Sequence, residues 1–363
     1  MKKNDDLQLS TVDIPAPDAA PNLTNQEILT GKVVPALDRL KIISADDWQN
    51  VIYEWVHGYL KSKYQSVNRC GGSGDFGRDV IGQIDQTKWD NYQCKHYDHA
   101  LAPSDIWVEI GKLIYHVSEG NITPPENYFF IAPQGCGKSL LDLLNKPEDL
   151  RKKLTENWEK HCQKKITSKK EVHLDALKTA VDGFDFSIFS SVGPLDLLEQ
   201  HGQTRWYAAR FGGGLKKRPP SEAAPAEIAT KEVRYVEQLY AAYSDRVKKN
   251  VSSRSDLDVY KELLEHFNRQ RTHFYEAESL KKFARDSLPD GGYYEDLLSQ
   301  FYDGVIDILS KTHQDGYEKL IEVVQVAQQL NLGGHILISV LRVGDRAGVC
   351  HQLANEDRLK WVK

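Results

Sequence analysis

GGSGDFGRDVIGQIDQTKWDNYQCKHY, residues 71–97, sets the reading of the whole chain. It opens with glycines and two aspartates, Asp75 and Asp79, and closes on Gln93-Cys94-Lys95 inside a run bounded by aromatics. The pattern predicts a glycine-rich turn, a first strand carrying Asp79, a connection and a second strand. Residues two apart on a strand point to one side. Gln93 and Lys95 therefore share a face, and Cys94 turns to the other. An Asp on one strand beside Gln-x-Lys on its neighbour makes a small polar site on a sheet. Such a site suits a hard divalent cation, with a carboxylate and an amide oxygen as ligands and an ammonium near an attacking water and a phosphate.

Asp79 followed by Gln93-x-Lys95 resembles the PD-(D/E)xK nuclease signature in its Mrr-like Asp…Gln-x-Lys form. The longer string GSGDFGRDVIG…WDNYQCKHYD resembles, more narrowly, the nuclease subunits of bacterial antiphage systems of the Lamassu type and the related effector nucleases of nucleotide-signalling systems. The resemblance implies an α/β, restriction-endonuclease-like mixed sheet flanked by helices, followed by a mostly α-helical C-terminal domain. It implies Mg2+- or Mn2+-dependent hydrolysis of double-stranded DNA. Asp79 and Gln93 would hold the metal with the Cys94 backbone carbonyl, and Lys95 would position or activate the water and stabilise phosphorane charge. An acidic residue on the preceding helix reaches the metal in related nucleases. Glu54 is the candidate here, although Gln49 stands directly after Trp48, where the family often has Glu. Asp75 is a further candidate, or it orients the turn by capping backbone N–H groups. Gln in place of an acid at position 93 removes one negative charge, so the metal is expected to settle only when DNA phosphate is present. The resemblance also implies partners: an SMC-like ABC ATPase subunit and a small accessory subunit that hold the nuclease inactive until foreign DNA is sensed, with self-association into an active oligomer as a switch.

The chain has 363 residues and a mass of 41.3 kDa, which suggests two domains at ~150 residues each. Hydrophobic residues make up 40%, enough for real cores, and a mean hydropathy of -0.53 indicates a soluble chain. No apolar run approaches the ~20 residues of a membrane helix, and the start lacks the apolar stretch of a signal peptide. The five cysteines form no CxxC pair, which argues against a zinc knuckle or a disulfide framework and for free thiols in a reducing cytoplasm. Net charge is -5. Residues 151–170 run the other way, with eight Lys or Arg against Glu156 and Glu159. That stretch is either a source of phosphate contacts or a solvated helix face.

Residues 1–25 read as a flexible arm and 26–212 as the nuclease domain. Ser44 with Asp47 three residues on forms a capping box, and Trp48, Val51, Ile52, Trp55, Val56 and Tyr59 follow at helical spacing. Residues 101–118 read as a helix capped by Ser104, with Glu109 and Lys112 able to face the cleft. His201 and Arg210 are within the domain's closing stretch and read as local packing before nucleic-acid contacts. Residues 213–226 read as a Gly- and Pro-containing linker, and 227–363 as a helical domain for partner docking and assembly. The tail LNLGGHILISVLRVGDRAGVCHQLANEDRLKWVK resembles the C-terminal signature of subunits that work with an ABC-type ATPase in three-component defence systems. Trp361 near its end either docks a partner or caps this domain's own core.

Residues 132–139, APQGCGKS, compete with this reading. They follow an apolar strand, precede an apolar helix, and satisfy a relaxed Walker A pattern ending in Lys138 and Ser139. Ala132 replaces the usual first Gly, and the best candidate for an apolar strand ending in an acid stops at Asp345, far along the chain. The expected role is a structural strand–turn–helix, with Lys138 available to a DNA phosphate. A P-loop switch and a catalytically degenerate DNA-binding adaptor are the alternatives to a working nuclease.

Overall fold

The computed structural model describes residues 33–71, 75–289 and 291–362. The 1–25 arm and the Gly72-Ser73-Gly74 part of the turn lie outside them. A short helix, α1 (Ala36–Ile42), leads to α2 (Ala45–Gly58). Ser44 caps α2 as expected: its Oγ accepts from the Asp47 amide at 3.0 Å and donates to the Asp47 carboxylate at 2.9 Å. There follow β1 (Ser66–Arg69), β2 (Val80–Gln83), β3 (Trp89–Cys94), α3 (Trp107–Ser118) and β4 (Asn127–Ile131). Next come α4 (Lys138–Leu144), α5 (Pro147–His161), α6 (Leu174–Gly183), β5 (Phe189–Val192), α7 (Pro194–His201) and α8 (Tyr207–Phe211). β1 has no signature in the sequence, because it is a polar, largely exposed edge strand. Helix α3 starts at Trp107 and not at Ser104. Pro103–Asp105 forms a 3-10 turn instead, closed by Asp105 accepting from the Ala102 amide at 2.7 Å.

The strands form one five-stranded mixed sheet in the order β1-β2-β3-β4-β5. β1, β2 and β3 are antiparallel neighbours, while β3–β4 and β4–β5 are parallel. Parallel pairing needs a crossover, and α3 supplies the one between β3 and β4. The sheet separates two apolar layers. On one face α2 packs Trp48, Ile52 and Trp55 against Val80 and Tyr92. On the other, α3, α5 and α6 pack Ile110, Leu113 and Trp158 against Tyr128, Phe130 and Phe189.

Beyond Phe211 the described elements are helical: α9 (Val233–Val247), α10 (Lys261–Ser287), α11 (Tyr293–Leu309), α12 (Gly316–Gln329) and α13 (Val343–Asn355). They enclose a separate core built on Tyr235, Phe267, Phe274, Phe301 and Leu353. The apolar run 336–341 ends in a 3-10 turn, Ile338–Val340. Trp361 is 2% exposed within this core, so it caps its own domain. Between the two bodies, Gly212, Gly213 and Gly214 all have positive φ (75°, 86° and 80°) and no atom within 4 Å of a built Cβ. The rest of the 213–226 span is docked. Leu215 packs on the helical core, and the Arg218 guanidinium donates to both Asp345 oxygens at 2.8 and 2.7 Å, fully buried.

Candidate active site

Asp79 stands directly before β2, at the end of the sheet where parallel β3 and β4 finish. Its backbone carbonyl accepts from Cys70 N–H at 2.7 Å, which continues the β1–β2 ladder by one residue. Its carboxylate Oδ2 accepts from the Gln93 amide at 2.6 Å and from the Cys94 backbone N–H at 2.7 Å. In an extended strand the N–H and C=O of one residue leave on the same side. The Cys94 carbonyl therefore projects toward the same edge as Asp79. Gln93 and Lys95 share the α3 face of the sheet, as the strand period predicts. Tyr128 OH donates to Gln93 Oε1 at 2.6 Å, and Lys95 Nζ donates to Glu109 Oε1 on α3 at 2.8 Å. Cys94 turns the other way and packs with the α2 layer.

Glu109 is the residue that the sequence reading kept in the background. It is nearly buried and carries two ammonium groups, Lys95 and, at 3.5 Å, Lys112. A built Cβ on Gly77 would lie 3.4 Å from Glu109 Oε2, so the glycine turn closes over this carboxylate. Gly77 has φ 79° and Phe76 φ 55°. Asp75 holds that turn by accepting from Gly77 N–H at 2.9 Å, the capping role foreseen for it.

Glu54 is elsewhere. Its oxygens accept from Arg210 Nε at 2.8 Å and Nη2 at 2.5 Å, and His201 Nε2 lies 3.0 Å away. Burial opposes its ionisation, but the His201 and Arg210 contacts outweigh that and hold its pKa below the usual range. The structure thus ties Glu54 into a clamp joining α2, α7 and α8, and gives it no contact with Asp79, Gln93 or Lys95 among the described residues. His201 and Arg210 are the local packing they were read as. Gln49 and its neighbour Asn50 are taken by Arg69, at 2.9 and 2.7 Å.

Burial dominates the electrostatics of the site. Burial pushes Asp79 up to about 6; the Cys94 N–H and Lys95 oppose the rise, and Glu109 and Asp75 add to it. Burial alone would lower Lys95, yet its contact with Glu109 carries it above the ordinary lysine value. Lys95 is therefore a fixed positive charge at neutral pH and not a proton acceptor. The donor set fits a hard cation. Asp79, Gln93 Oε1, the Cys94 carbonyl and Glu109 all offer oxygens, and a cation among them would offset the burial that raises Asp79. Gln93 has to turn its amide over for this, since its NH2 end now faces Asp79. Tyr128 permits the turn, because a phenol oxygen that now donates to the amide oxygen can accept from the amide NH2 instead.

Two amides of the 132–139 turn are used within the chain: Gly135 N–H donates to Ala132 C=O at 3.0 Å and Gly137 N–H to Leu101 C=O at 2.8 Å, so neither points its hydrogen at a phosphate. Asp345 is neutralised by Arg218 and also caps α13 by accepting from Arg342 N–H at 2.6 Å. All five cysteines are free. No described helix is long and apolar enough to cross a membrane.

Residues 232–361 match the family model for C-terminal domain 6 of the ABC-three component (ABC-3C) systems. The helical half is similar to that domain. The match ties the chain to the ABC-three-component systems, a setting of antiphage defence. It spans α9 to Trp361 and leaves the sheet and Asp79 outside it. No curated protein and no solved structure matches the chain.

Proposed function

We propose that the chain is a cation-dependent DNA endonuclease, the effector subunit of an ABC-three-component defence complex. One observation carries the reading: two hydrogen-bonded pairs, Asp79–Gln93 and Lys95–Glu109, stand side by side at one edge of a sheet whose element order is α2-β1-β2-β3-α3-β4. That order and that edge agree with a restriction-endonuclease-like fold. Asp79, Gln93 and the Cys94 carbonyl would hold Mg2+ or Mn2+, with Glu109 as a further ligand once it releases Lys95. When bound, the cation supplies Lewis-acid stabilisation of charge on the phosphodiester. Lys95, freed from Glu109 and still protonated, orients the attacking water and places its charge beside the phosphoryl oxygens. In the closed arrangement Lys95 is paired and Gln93 is turned inward, a resting state that DNA phosphate is suited to open. The helical half is the docking surface for the SMC-like ABC ATPase and the small accessory subunit, which restrain the effector until foreign DNA is sensed.

The test is plasmid cleavage in Mg2+ against EDTA, by wild type and Lys95→Ala, alone and with the ATPase and accessory subunits. Cleavage that needs both the metal and Lys95 is expected. DNA binding without Lys95-dependent cleavage in any assembly would replace the nuclease by a catalytically degenerate adaptor.

A further inference from the structure

Residues 163–172 leave α5 and return to the core as a closed loop. Val172 N–H donates to the Gln163 carbonyl at 2.8 Å, and the Trp158 indole donates to the Val172 carbonyl at 2.8 Å. Ile166 and Val172 are buried. Ile166 lies so close to α3 that a Cβ built on Gly111 would meet its methyl at 3.1 Å. The backbone of the loop is thereby fixed, while Lys164, Lys165, Lys169 and Lys170 stay exposed. Among the described residues, Lys164 alone of the four pairs with a carboxylate, Glu171 at 3.7 Å. Lys170 stands 5.5 Å from the Tyr115 ring of α3. Four ammonium groups held on one short loop repel one another, within a chain whose net charge is -5. That arrangement suits an anionic surface laid against it.

Helix α3 joins this loop to the site. Gly111 and Tyr115 face the loop, Glu109 and Lys112 face Lys95 and the glycine turn, and at 100° per residue the two faces adjoin. We infer that the 163–172 loop is a contact for the phosphate backbone of duplex DNA, running beside α3 toward Lys95. The inference rests on the nuclease reading for the identity of its ligand, and its test does not depend on cleavage.

The experiment is fluorescence anisotropy of a labelled duplex in EDTA over a salt series, with the full chain. The proteins are wild type, the fourfold variant Lys164→Gln/Lys165→Gln/Lys169→Gln/Lys170→Gln, its Lys→Arg counterpart, and Lys95→Ala. Each phosphate contact adds about 0.9 to the slope of log K against log salt, so the Gln variant should lose roughly 3 to 4 in slope. Its affinity at 0.1 M salt should fall by on the order of 100-fold or more. The Arg variant should bind as wild type does. An unchanged slope in the Gln variant overturns the inference, as does a wild type that binds no duplex. Intact duplex binding with loss of the ATPase partner also overturns it, in favour of a protein contact. Lys95→Ala separates the two readings: it should keep the slope within about one contact and lose cleavage. Cleavage by wild type that is retained in Lys95→Ala would sink the Lys95 site as its source and leave the binding result standing.

Discussion

Gln93 is where one atom decides the charge of the site. Its neutral amide donates to Asp79, a contact that a carboxylate at the same place would turn into repulsion. Gln93→Glu should therefore destabilise the metal-free protein and tighten its hold on a divalent cation. Two like charges ~4 Å apart at an effective dielectric of ~20 repel by up to ~4 kcal/mol, and partial protonation will absorb part of that. The expected result is a melting midpoint several degrees lower than wild type in EDTA, recovered in Mg2+, with cation affinity raised about tenfold or more by calorimetry. A midpoint equal to wild type in both buffers would mean the amide is not at the cation site. Glu109→Gln probes the other half. It removes a ligand and the partner of Lys95, so cleavage should fall by on the order of 100-fold while duplex affinity holds or rises. Of this cluster, strand periodicity put Gln93 and Lys95 on one face, and the resemblance pointed to Asp79. Glu109 was not legible, since which helical carboxylate meets the cleft depends on how α3 lies on the sheet. Glu54 misled for the same reason: Arg210 and His201, some 150 residues away in sequence, turn it to another task.

Helices α10 and α13 cross closely at a pair of glycines four residues apart. A Cβ on Gly348 would fall 2.0 Å from the His273 carbonyl oxygen, which is backbone, whereas one on Gly344 would meet the end of the Glu276 side chain. Gly348→Ala gains about 1 kcal/mol of helix propensity and loses about 3 to overpacking against an atom that cannot step aside. A net loss of about 2 kcal/mol is expected in urea melts, with Gly344→Ala closer to neutral. Equal midpoints for the two would contradict the close crossing. The same interface buries a chain of polar groups: Tyr243 OH to His266 at 2.7 Å, His266 to Gln270 at 3.1 Å, and Gln270 to His351 at 2.9 Å. Burial, with Arg269 and His273 nearby, pushes His266 down to about 3. Its folded value lies below the unfolded value of 6.5, so the stabilisation is present above pH 6.5 and is lost as the pH falls toward 3. Between pH 7 and 5 that amounts to about 2 kcal/mol. Wild type should lose that much more over this interval than His266→Gln, measured by urea melts; parallel pH profiles would refute it. The stretch 227–363 read as helical in advance. That reading could not mark the crossing, because glycines in a helix look like weak points until the partner backbone is in view. The APQGCGKS turn is the converse: a legible strand, turn and helix, two of whose glycine amides the fold bonds to Leu101 and Ala132.

At the scale of the molecule, the chain passes from the first core to the second through three glycines whose built Cβ atoms would meet nothing within 4 Å, and the chain beyond is tied to the second core at once. Composition marked 213–226 as a linker, since glycine and proline are frequent there. A single buried pair makes most of that span part of the helical body. Arg218 and Asp345 are 1% and 0% exposed at their side chains. Removing one partner of such a pair leaves the other as an uncompensated buried charge, at a cost of about 3–5 kcal/mol. Residues 213–363 expressed alone should therefore fold with a cooperative urea transition, and residues 227–363 should be less stable by about 3 kcal/mol or more. Arg218→Ala within the longer piece should reproduce most of that loss, which separates the ion pair from the other contacts of the segment. Equal stability of the two pieces would show the segment to be a passive linker. Failure of the longer piece to fold would show that the cores depend on each other. The distinction bears on control of the site: with 215–222 clamped to the helical body, Gly212–Gly214 are the covalent route from that body to the sheet.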